Sequence, residues 1–327
     1  MVPPSRFCQR WGWSHNLRRT IEGLLDGKSG HKIVHLHGVW MASQWVGARA
    51  AGRRRLPFVL TTYGMLHPWL WNYKGLLQLA KKRLYWHLMA SPSLREAAVV
   101  HAITQRERDV LSRYLPRCRI EVIPLAVDLA EIDEARNAVT PAAGPTAERL
   151  LLFIGRLDPQ KGIDVLINAF NTAGLASDWR LVIAGPERVR GYRQMLEAQV
   201  ERSGLGDRVV FVGSVTGAQK WHLYGRAWVT LVPSRFEEIA AVNLEAAASE
   251  TPTITTFATG LTDWTEGGGL LVRGSVSDLS QALATAARWS ERERLDRGRA
   301  SRRLIERKYS WSVVGPQWQE LYGSLLA

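Results

Sequence analysis

Short runs of β-branched and aliphatic residues alternate with amphipathic stretches along the chain. The runs include KIVHL, PFVLTTY, AAVVHAI, RLLLFIG, WRLVIAG, RVVFVG and AWVTLVP. Between them lie segments with the helical spacing of apolar residues, such as GIDVLINAF and YRQMLEAQV. This alternation is typical of βα units in a parallel sheet covered on both faces. The sequence therefore predicts an α/β fold with doubly wound sheets, in which ligands bind beyond the carboxyl ends of the strands.

The best candidate for a domain boundary is the segment Asn137–Glu148. It is rich in Pro, Ala and Gly and stands just before a new strand. We therefore expect two Rossmann-like domains, one over residues 1–140 and one over residues 148–308, which face each other across a crevice.

Charge narrows the choice of partners without settling it. The 327 residues contain 43 Lys and Arg against 30 Asp and Glu, and the sequence pI is about 10.2. Such an excess favours nucleic acid, an anionic membrane surface or phosphorylated substrates. No apolar run approaches the ~18 residues of a membrane span, and the start of the chain lacks the apolar core of a signal peptide. A cytoplasmic protein is expected, in which Cys8 and Cys118 are incidental thiols.

One strand-to-helix loop, FIGRLDPQKGIDVL, combines a glycine with two cations. Gly155 permits a sharp turn after the strand, and Arg156 and Lys161 flank the turn before the next helix. Two cations at the carboxyl end of a strand suit a diphosphate. Spacing alone leaves open the alternative of two solvated charges on a surface loop.

Three acids, Glu237, Glu238 and Glu245, surround an Ala-rich segment in PSRFEEIAAVNLEAAAS. On one continuous helix Glu237 and Glu245 would lie about 80° apart in rotation and about 12 Å apart along the axis. Both can line an extended ligand if Glu237 lies in the loop before the helix. The alternative is that Glu237 and Glu238 only complement the helix dipole, which is worth about 0.3–1 kcal/mol.

The order of several motifs resembles a known family. GRLDPQKGIDVLINAF, LVIAGPE, VVFVGSV and VPSRFEEIAAVNLEAAASETPTI resemble the donor domain of retaining glycosyltransferase family 4, which has the GT-B fold. Upstream, HLHGVW and TTYGMLHPW resemble the acceptor domain of bacterial members that build surface polysaccharides. The resemblance covers roughly nine-tenths of the chain. It implies a glycosyltransferase that moves a sugar from a UDP- or GDP-sugar to a lipid-linked or polysaccharide acceptor.

The resemblance also implies roles for individual side chains. Arg156 and Lys161 would hold the donor diphosphate and neutralise the charge that develops as it departs. Glu237 would contact hydroxyls of the donor sugar, and Glu245 would accept hydrogen bonds from the ribose. We therefore expect Arg156, Lys161 and Glu237 to be catalytic, with no metal and no cofactor, and we name no protein nucleophile.

Backbone groups complete the expected donor site. Ile239, Ala240 and Ala241 would present N–H groups to the phosphates at a helix start. Gly213 and Val215 would flank the nucleobase. Ile239 and Ala240 depart from the family, which usually has an aromatic residue and a glycine at these positions.

On the acceptor side, His37 and Tyr63 follow two neighbouring strands. His37 is the candidate polar group, although a structural histidine is an equal alternative. Many relatives have a histidine where Tyr63 stands, so the catalytic base remains unassigned.

The segment Trp69–Met89 has an apolar helical stripe opposed by polar residues. The stripe consists of Tyr73, Leu77, Leu84 and Leu88, and the opposite side of Lys74, Gln78, Lys81 and Lys82. A basic amphipathic helix with tryptophans can lie on an anionic membrane, but a helix whose apolar side faces the core is the commoner structure. The basic run Arg288–Lys308 is predicted to be a solvated helix face.

The two ends of the chain are also interpreted through the resemblance. Residues 309–327 resemble the final helices of the family, which return to the first domain. Only about thirty residues precede KIVHLHG, so we expect a first domain that lacks its first strands through amino-terminal truncation. An inactive remnant that binds nucleotide or a partner is therefore an alternative, and nucleic-acid binding is a weaker one, favoured by charge alone.

Overall fold

The chain divides into two compact units. The computed structural model describes residues 11–14, 16–26, 32–72, 75–138 and 148–327. The first unit comprises Met1–Pro124 with Gly315–Ala327, and the second comprises Leu125–Val314. The division thus comes after Pro124, earlier than the predicted boundary segment, of which residues 139–147 lie outside the described residues.

The first unit is built on a four-stranded parallel sheet in the order β1-β2-β3-β4. Its strands are β1 (Val34–His37), β2 (Phe58–Thr61), β3 (Val99–Ala102) and β4 (Ile120–Val122). Its helices are α1 (Leu17–Leu25), α2 (Ala42–Arg53), α3 (Pro68–Asn72), α4 (Leu76–Tyr85), a π-helical turn (Trp86–Ala90), α5 (Ser91–Leu94) and α6 (Gln105–Tyr114). Strands β2 and β3 are buried along their whole length, as expected for a parallel sheet covered on both faces.

The second unit has a six-stranded parallel sheet in the order β10-β9-β8-β5-β6-β7. Its strands are β5 (Arg149–Ile154), β6 (Trp179–Ala184), β7 (Val209–Gly213), β8 (Ala227–Val232), β9 (Thr253–Thr256) and β10 (Leu270–Val272). Its helices are α7 (Leu129–Asn137), α8 (Ile163–Thr172), α9 (Tyr192–Arg202), α10 (Gly217–Arg226), α11 (Ala241–Ala248), α12 (Val276–Ala287) and α13 (Glu291–Lys308). Helix α14 (Trp311–Leu326) begins in this unit and ends in the first. The doubly wound order reverses between β5 and β8.

Helix α7 explains why the division precedes the Pro- and Ala-rich segment. Ile132 of α7 is buried in an apolar cluster of the second unit, together with Leu152. Asp133 forms an ion pair with Arg302 of α13 at 2.7 Å. These contacts attach residues before the predicted boundary to the second unit.

The apolar stripe predicted on helix α4 faces solvent and not the core. Leu77, Leu84 and Leu88 are 69%, 62% and 69% exposed. Lys82 turns inward instead, where its Nζ donates to the carbonyl of Leu70 at 2.7 Å. The predicted stripe therefore faces solvent, whereas Tyr73 and Lys74 lie outside the described residues. Within the part of the chain that the structure describes, no helix combines the length and hydropathy needed to cross a membrane.

The basic run predicted as a solvated helix face is mostly α13. Several of its arginines form ion pairs with acids three or four residues away along the same helix, such as Arg294 with Glu291 and Arg297 with Glu293. Its buried residues are few: Gly298, Ser301, Leu304 and Ile305. The prediction of a largely solvated helix is confirmed.

A directed chain of hydrogen bonds ties the end of α14 to the sheet of the first unit. His101 Nε2 lies 2.7 Å from the carbonyl oxygen of Ile123, which can only accept, so His101 Nδ1 accepts from Thr61 Oγ1 at 2.8 Å. The Thr61 oxygen then accepts from His35 Nε2 at 2.7 Å. His35 Nδ1 therefore accepts from the Tyr322 hydroxyl at 2.7 Å. Both imidazoles must be neutral for this chain to form.

Burial favours the same neutral state. Burial, with a smaller contribution from the neighbouring His37, lowers the pKa of His35 and of His101 from the ordinary 6.5 to about 4. The unfolded chain therefore binds more protons than the folded one between pH 6.5 and pH 4. In this window the free energy of unfolding falls as the pH falls, and above it these two groups contribute no pH dependence.

We predict that the melting temperature decreases between pH 6.5 and pH 4 and that His101→Asn makes this decrease shallower. The variant is less stable at every pH because it loses a buried hydrogen bond, but it has one titrating imidazole fewer. The matched control is His87→Asn, which replaces an exposed ring. Tryptophan fluorescence during thermal unfolding measures both. An unchanged slope in His101→Asn would contradict the prediction.

Candidate active site

The reversal of strand order in the second sheet brings two loops together. Strands β5 and β8 are adjacent and parallel, so their carboxyl ends lie at the same edge. The loop after β5 runs from Gly155 to Gly162, and the loop after β8 runs from Pro233 to Ala240. In doubly wound sheets this point of reversal is where ligands bind.

The two loops are in direct contact. Gly162 has φ +70°, and a Cβ added there would lie 2.2 Å from the carbonyl oxygen of Pro233. Gln160 Nε2 donates to the carbonyl of Phe236 at 2.7 Å, and the Arg235 amide donates to the carbonyl of Gln160 at 2.8 Å. Glycine at position 162 is therefore required both for its conformation and for the close approach.

This contact brings together two of the predicted catalytic residues. Lys161 Nζ lies 2.8 Å from Glu237 Oε1, and their side chains are only 13% and 14% exposed. Ser234 Oγ donates to the same carboxylate oxygen at 2.5 Å. Since an ammonium has three donors and a carboxylate about four acceptor sites, the pair can hold phosphate and sugar oxygens while remaining intact.

Arg156 occupies a different environment from Lys161. Its side chain is exposed, and it forms no ion pair with any residue in the described ranges. The two predicted cations of this loop are thus one solvated guanidinium and one mostly buried ammonium. Their electrostatic contributions differ accordingly, because charges interact more strongly away from water.

Glu245 lies on α11 and contacts two side chains of α10. Lys220 Nζ is 3.0 Å from Glu245 Oε1, and the Tyr224 hydroxyl donates to Oε2 at 2.8 Å. Tyr224 is fully buried, and burial together with the Glu245 charge raises its pKa well above the usual value. The phenol therefore keeps its proton and holds the Glu245 carboxylate in one orientation.

Lys220, Tyr224 and Ser234 were not singled out from the sequence. Ser234 follows a proline at the end of a strand, a position that could have indicated it. Lys220 and Tyr224 are four residues apart on an ordinary amphipathic helix and more than twenty residues from Glu245. No sequence signal connects them.

The start of α11 shows where Glu237 and Glu238 lie relative to the helix. The helix begins at Ala241 and has no acid in its first turn, so Glu237 lies in the preceding loop, as an extended ligand requires. Glu238 lies in the same loop and is 5% exposed. Neither of these acids therefore lies in the first turn of α11, where the helix-dipole alternative would place them. Ile239 packs against an apolar cluster of the second unit, and Ala240 is 1% exposed.

Glycines close the ends of three neighbouring strands. The Gly155 amide donates to the carbonyl of Ala184 at 2.9 Å, and the Gly185 amide donates to that of Gly213 at 2.6 Å. A Cβ at Gly185 would lie 1.9 Å from the carbonyl oxygen of Gly155, so only glycine permits this packing. Val215 is largely buried beyond β7. The structure thus places Gly155 and Gly213 on one backbone surface through Gly185, which the motif LVIAGPE could have indicated.

The acceptor-side candidates form a pair in the first unit. His37 Nδ1 lies 2.8 Å from the Tyr63 hydroxyl, and the two rings stack at a centroid distance of 5.8 Å. Both side chains are exposed, and His37 also stacks on His35 at 4.2 Å. Partial burial of the phenol, together with the Glu107 charge, raises the pKa of Tyr63, which keeps it protonated at neutral pH.

The backbone of Tyr63 is strained and anchored on both sides. Its φ of +51° is in the left-handed region that costs a residue with a side chain about 1 kcal/mol or more. Thr62 Oγ1 and the Gly64 amide both donate to the buried carboxylate of Glu107. Glu107 was not identified from the sequence, although it stands at the third position of α6 after the capping residue Thr104.

We predict that Gly162→Ala destabilises the second unit by about 2 kcal/mol or more beyond the cost of its φ angle. The matched control is Gly204→Ala, at φ +67°, where an added Cβ would meet nothing within 4 Å. The control should cost only about 1 kcal/mol. Denaturant unfolding of the two variants measures the difference. Equal losses would contradict the required contact between the two loops.

Two family profiles match the chain. The profile of "Glycosyl transferases group 1" matches residues 139–309, and that of "Glycosyltransferase Family 4" matches residues 1–131. The group 1 profile thus covers most of the second unit, and the family 4 profile covers most of the first unit.

Relatives and solved structures are similar over most of the chain. An uncharacterized glycosyltransferase of Methanocaldococcus jannaschii is 28% identical over 95% of this chain and 80% of its own length. A D-inositol 3-phosphate glycosyltransferase of Mycolicibacterium smegmatis is 27% identical over 89% of this chain and 68% of its own length. The crystal structure of Anabaena HepE in complex with UDP and glucose superposes with a TM-score of 0.74, at 18% identity over 99% of this chain and 84% of that one.

The group 1 profile spans more than half of the 327 residues, and both units are parallel α/β domains. The predicted fold class is thereby confirmed. The chain belongs to the group 1 glycosyl transferases, with a family 4 amino-terminal region and the GT-B fold.

Proposed function

We propose that this glycosyltransferase moves a sugar, with retention of configuration, from a UDP- or GDP-sugar to a lipid-linked or polysaccharide acceptor in cell-surface glycan synthesis. The observation that carries the proposal is the mostly buried Lys161–Glu237 pair at the point where the strand order of the second sheet reverses. The solved relative that contains UDP and glucose supports a nucleotide-sugar donor.

Two cations of the β5 loop stabilise the diphosphate as it departs. During transfer, the bond between the anomeric carbon and the diphosphate oxygen breaks, and a bond from the acceptor oxygen to that carbon forms on the same face. The acceptor proton passes to the departing diphosphate oxygen. Lys161 and Arg156 stabilise the charge that develops on the diphosphate, so they act more strongly in the transition state than in the ground state.

The acids hold the ends of the donor. Glu237 accepts hydrogen bonds from hydroxyls of the donor sugar, and its partner Lys161 offers its other protons to the diphosphate. Glu245 accepts from the ribose while Lys220 and Tyr224 fix its orientation. The two acids thus bind different parts of one extended molecule, Glu237 from the loop before α11 and Glu245 from the helix itself.

Backbone groups contact the rest of the donor. The N–H groups at the start of α11, from Ile239 to Ala241, face the phosphates, where the helix dipole favours negative charge. The surface formed by Gly155 and Gly213, with Val215, receives the nucleobase. Neither contact requires a metal or a cofactor.

The acceptor is proposed to bind to the first unit. His37 and Tyr63 form a hydrogen-bonded pair at the carboxyl ends of β1 and β2, where a hydroxyl acceptor can be oriented. A relative named for D-inositol 3-phosphate transfer makes a phosphorylated polyol the alternative acceptor. The excess positive charge of the chain suits either a phosphorylated polyol or an acceptor on an anionic lipid.

We predict that the protein turns over one nucleotide sugar and that Lys161→Ala lowers kcat by roughly 10²–10³-fold. Release of UDP or GDP, screened across nucleotide sugars with and without acceptor, measures turnover. The matched control is Lys308→Ala, which also removes an ion-paired lysine of the second unit, 2.7 Å from Asp263. Lys161→Gln provides a second test, since it keeps a hydrogen-bond donor beside Glu237.

Three outcomes would contradict parts of this proposal. Unchanged turnover in both Lys161 variants would remove the diphosphate role, and nucleotide binding without turnover by the wild-type protein would favour an inactive remnant. A chelator should leave turnover unchanged, and loss of turnover that Mg²⁺ restores would disprove the metal-free mechanism.

We predict that Tyr224→Phe raises the donor KM roughly five- to twentyfold with little change in kcat. The variant removes one charge-assisted hydrogen bond to Glu245, which is worth about 1.5 kcal/mol, and Glu245 contacts the nucleoside and not the reacting carbon. The control is Tyr309→Phe, another buried tyrosine whose hydroxyl faces a carboxylate, that of Asp263. A fall in kcat at constant KM would contradict the positioning role.

A further inference from the structure

The exposed leucine face is a surface patch of the first unit that the donor chemistry does not use. It consists of Leu76, Leu77, Leu84 and Leu88, which are 84%, 69%, 62% and 69% exposed. The last three are seven and four residues apart, so they point to the same side of α4 and the π-helical turn that continues it. No residue of α4 is buried. Contiguous apolar surface of this kind marks a binding face.

The charge of the molecule is distributed very unevenly. The first unit has twenty Lys and Arg against seven Asp and Glu, and the second has twenty-three of each. The whole excess of thirteen positive charges therefore lies in the unit that carries the exposed leucine face. From Gly27 to Arg95 the sequence contains eleven Lys and Arg and no acid.

Cations border the exposed leucine face directly. Lys81 and Arg83 are exposed on α4, and neither forms an ion pair with an acid in the described part of the chain. Lys82, by contrast, points inward, with its ammonium 5.2 Å from the ring of Trp40. The outer side of α4 thus combines leucines with unpaired positive charge.

Aromatic side chains lie on the other flank of α4. Tyr85 contacts Trp11 edge-on at 5.9 Å, and Trp11 stacks on Trp13 at 5.8 Å. Trp45 lies within about 6.5 Å of both tryptophans, as centroid distances of 6.1 and 6.4 Å show. All four rings are partly exposed. Tryptophan and tyrosine of this kind are enriched where protein meets the headgroup layer of a membrane.

We propose that the exposed leucine face docks on an anionic phospholipid surface. The leucines enter the boundary between headgroups and acyl chains, and Lys81 and Arg83 contact the lipid phosphates. A second copy of the chain is a poor partner, because its first unit carries the same positive excess. Nucleic acid would use the cations but would gain nothing from four exposed leucines.

Vesicle sedimentation with the full chain tests the docking surface. We expect binding to phosphatidylcholine vesicles that contain about 30 mol% phosphatidylglycerol, weakened by salt, and little binding to phosphatidylcholine alone. Leu77→Ser combined with Leu84→Ser should lower the partition coefficient roughly tenfold or more. Lys81→Gln combined with Arg83→Gln should lower it about fivefold for each cation.

Matched controls come from the second unit. Met195→Ser with Leu295→Ser removes two exposed apolar side chains, and Arg292→Gln with Arg299→Gln removes the same charge as the α4 variant. Both controls should bind as the wild type does. All the replaced side chains are exposed, so melting temperatures should change little and loss of binding cannot be ascribed to unfolding.

Three results would overturn the proposal. They are equal binding to neutral and anionic vesicles, wild-type binding by the double leucine variant, and tighter binding to single-stranded RNA than to anionic vesicles with no effect of the leucines. Docking is measured without donor or acceptor. Its failure is therefore distinct from failure of the proposed transfer reaction, which nucleotide release measures.

Discussion

The contact between the β5 and β8 loops of the second unit is the constraint on which its candidate site depends. Parallel pairing of the two strands brings their carboxyl ends to one edge, but it does not by itself bring Lys161 to Glu237. That requires Gly162 to approach the Pro233 carbonyl more closely than any side chain would permit. The short turn before Gly162, capped by Asp158, then directs the Lys161 ammonium at the acid. The ion pair is thus a consequence of backbone packing.

Sequence periodicity could predict the elements but not how their sides are oriented. The alternation of strands and helices, and the order of the glycine and acid motifs, identified the fold and located Lys161 and Glu237. The stripe of Leu77, Leu84 and Leu88 was visible too, yet periodicity gives a stripe and not the side that faces the core. Trp86 is buried there instead, and the Lys82 ammonium lies over the ring of Trp40. The boundary differs for a similar reason, since the packing of Ile132 assigns α7 to the second unit.

The residues that contact Glu245 and support the backbone of Tyr63 could not be predicted from the sequence for a different reason. Lys220 and Tyr224 meet Glu245 only because α10 and α11 pack side by side, which is a tertiary contact. Likewise, the φ of +51° at Tyr63 is maintained by a carboxylate more than forty residues away, that of Glu107. Local sequence does not encode such contacts, so the residues that position a site are harder to predict than those within it.

The neutral charge of the second unit bears on how the proposed donor site would attract a diphosphate. With as many acids as bases, this unit has no net charge to draw in an anion, so attraction must come from individual groups. Lys161 is screened less than a surface lysine because it is mostly buried, but Glu237 offsets its charge. In the proposed donor complex, exposed Arg156 and the N–H groups at the start of α11 would supply the remaining attraction. Ala240 does not prevent this, because its φ of −83° is open to any residue and its side chain is buried away from solvent. Replacement of the usual family glycine at this position therefore leaves the helix start able to face phosphate.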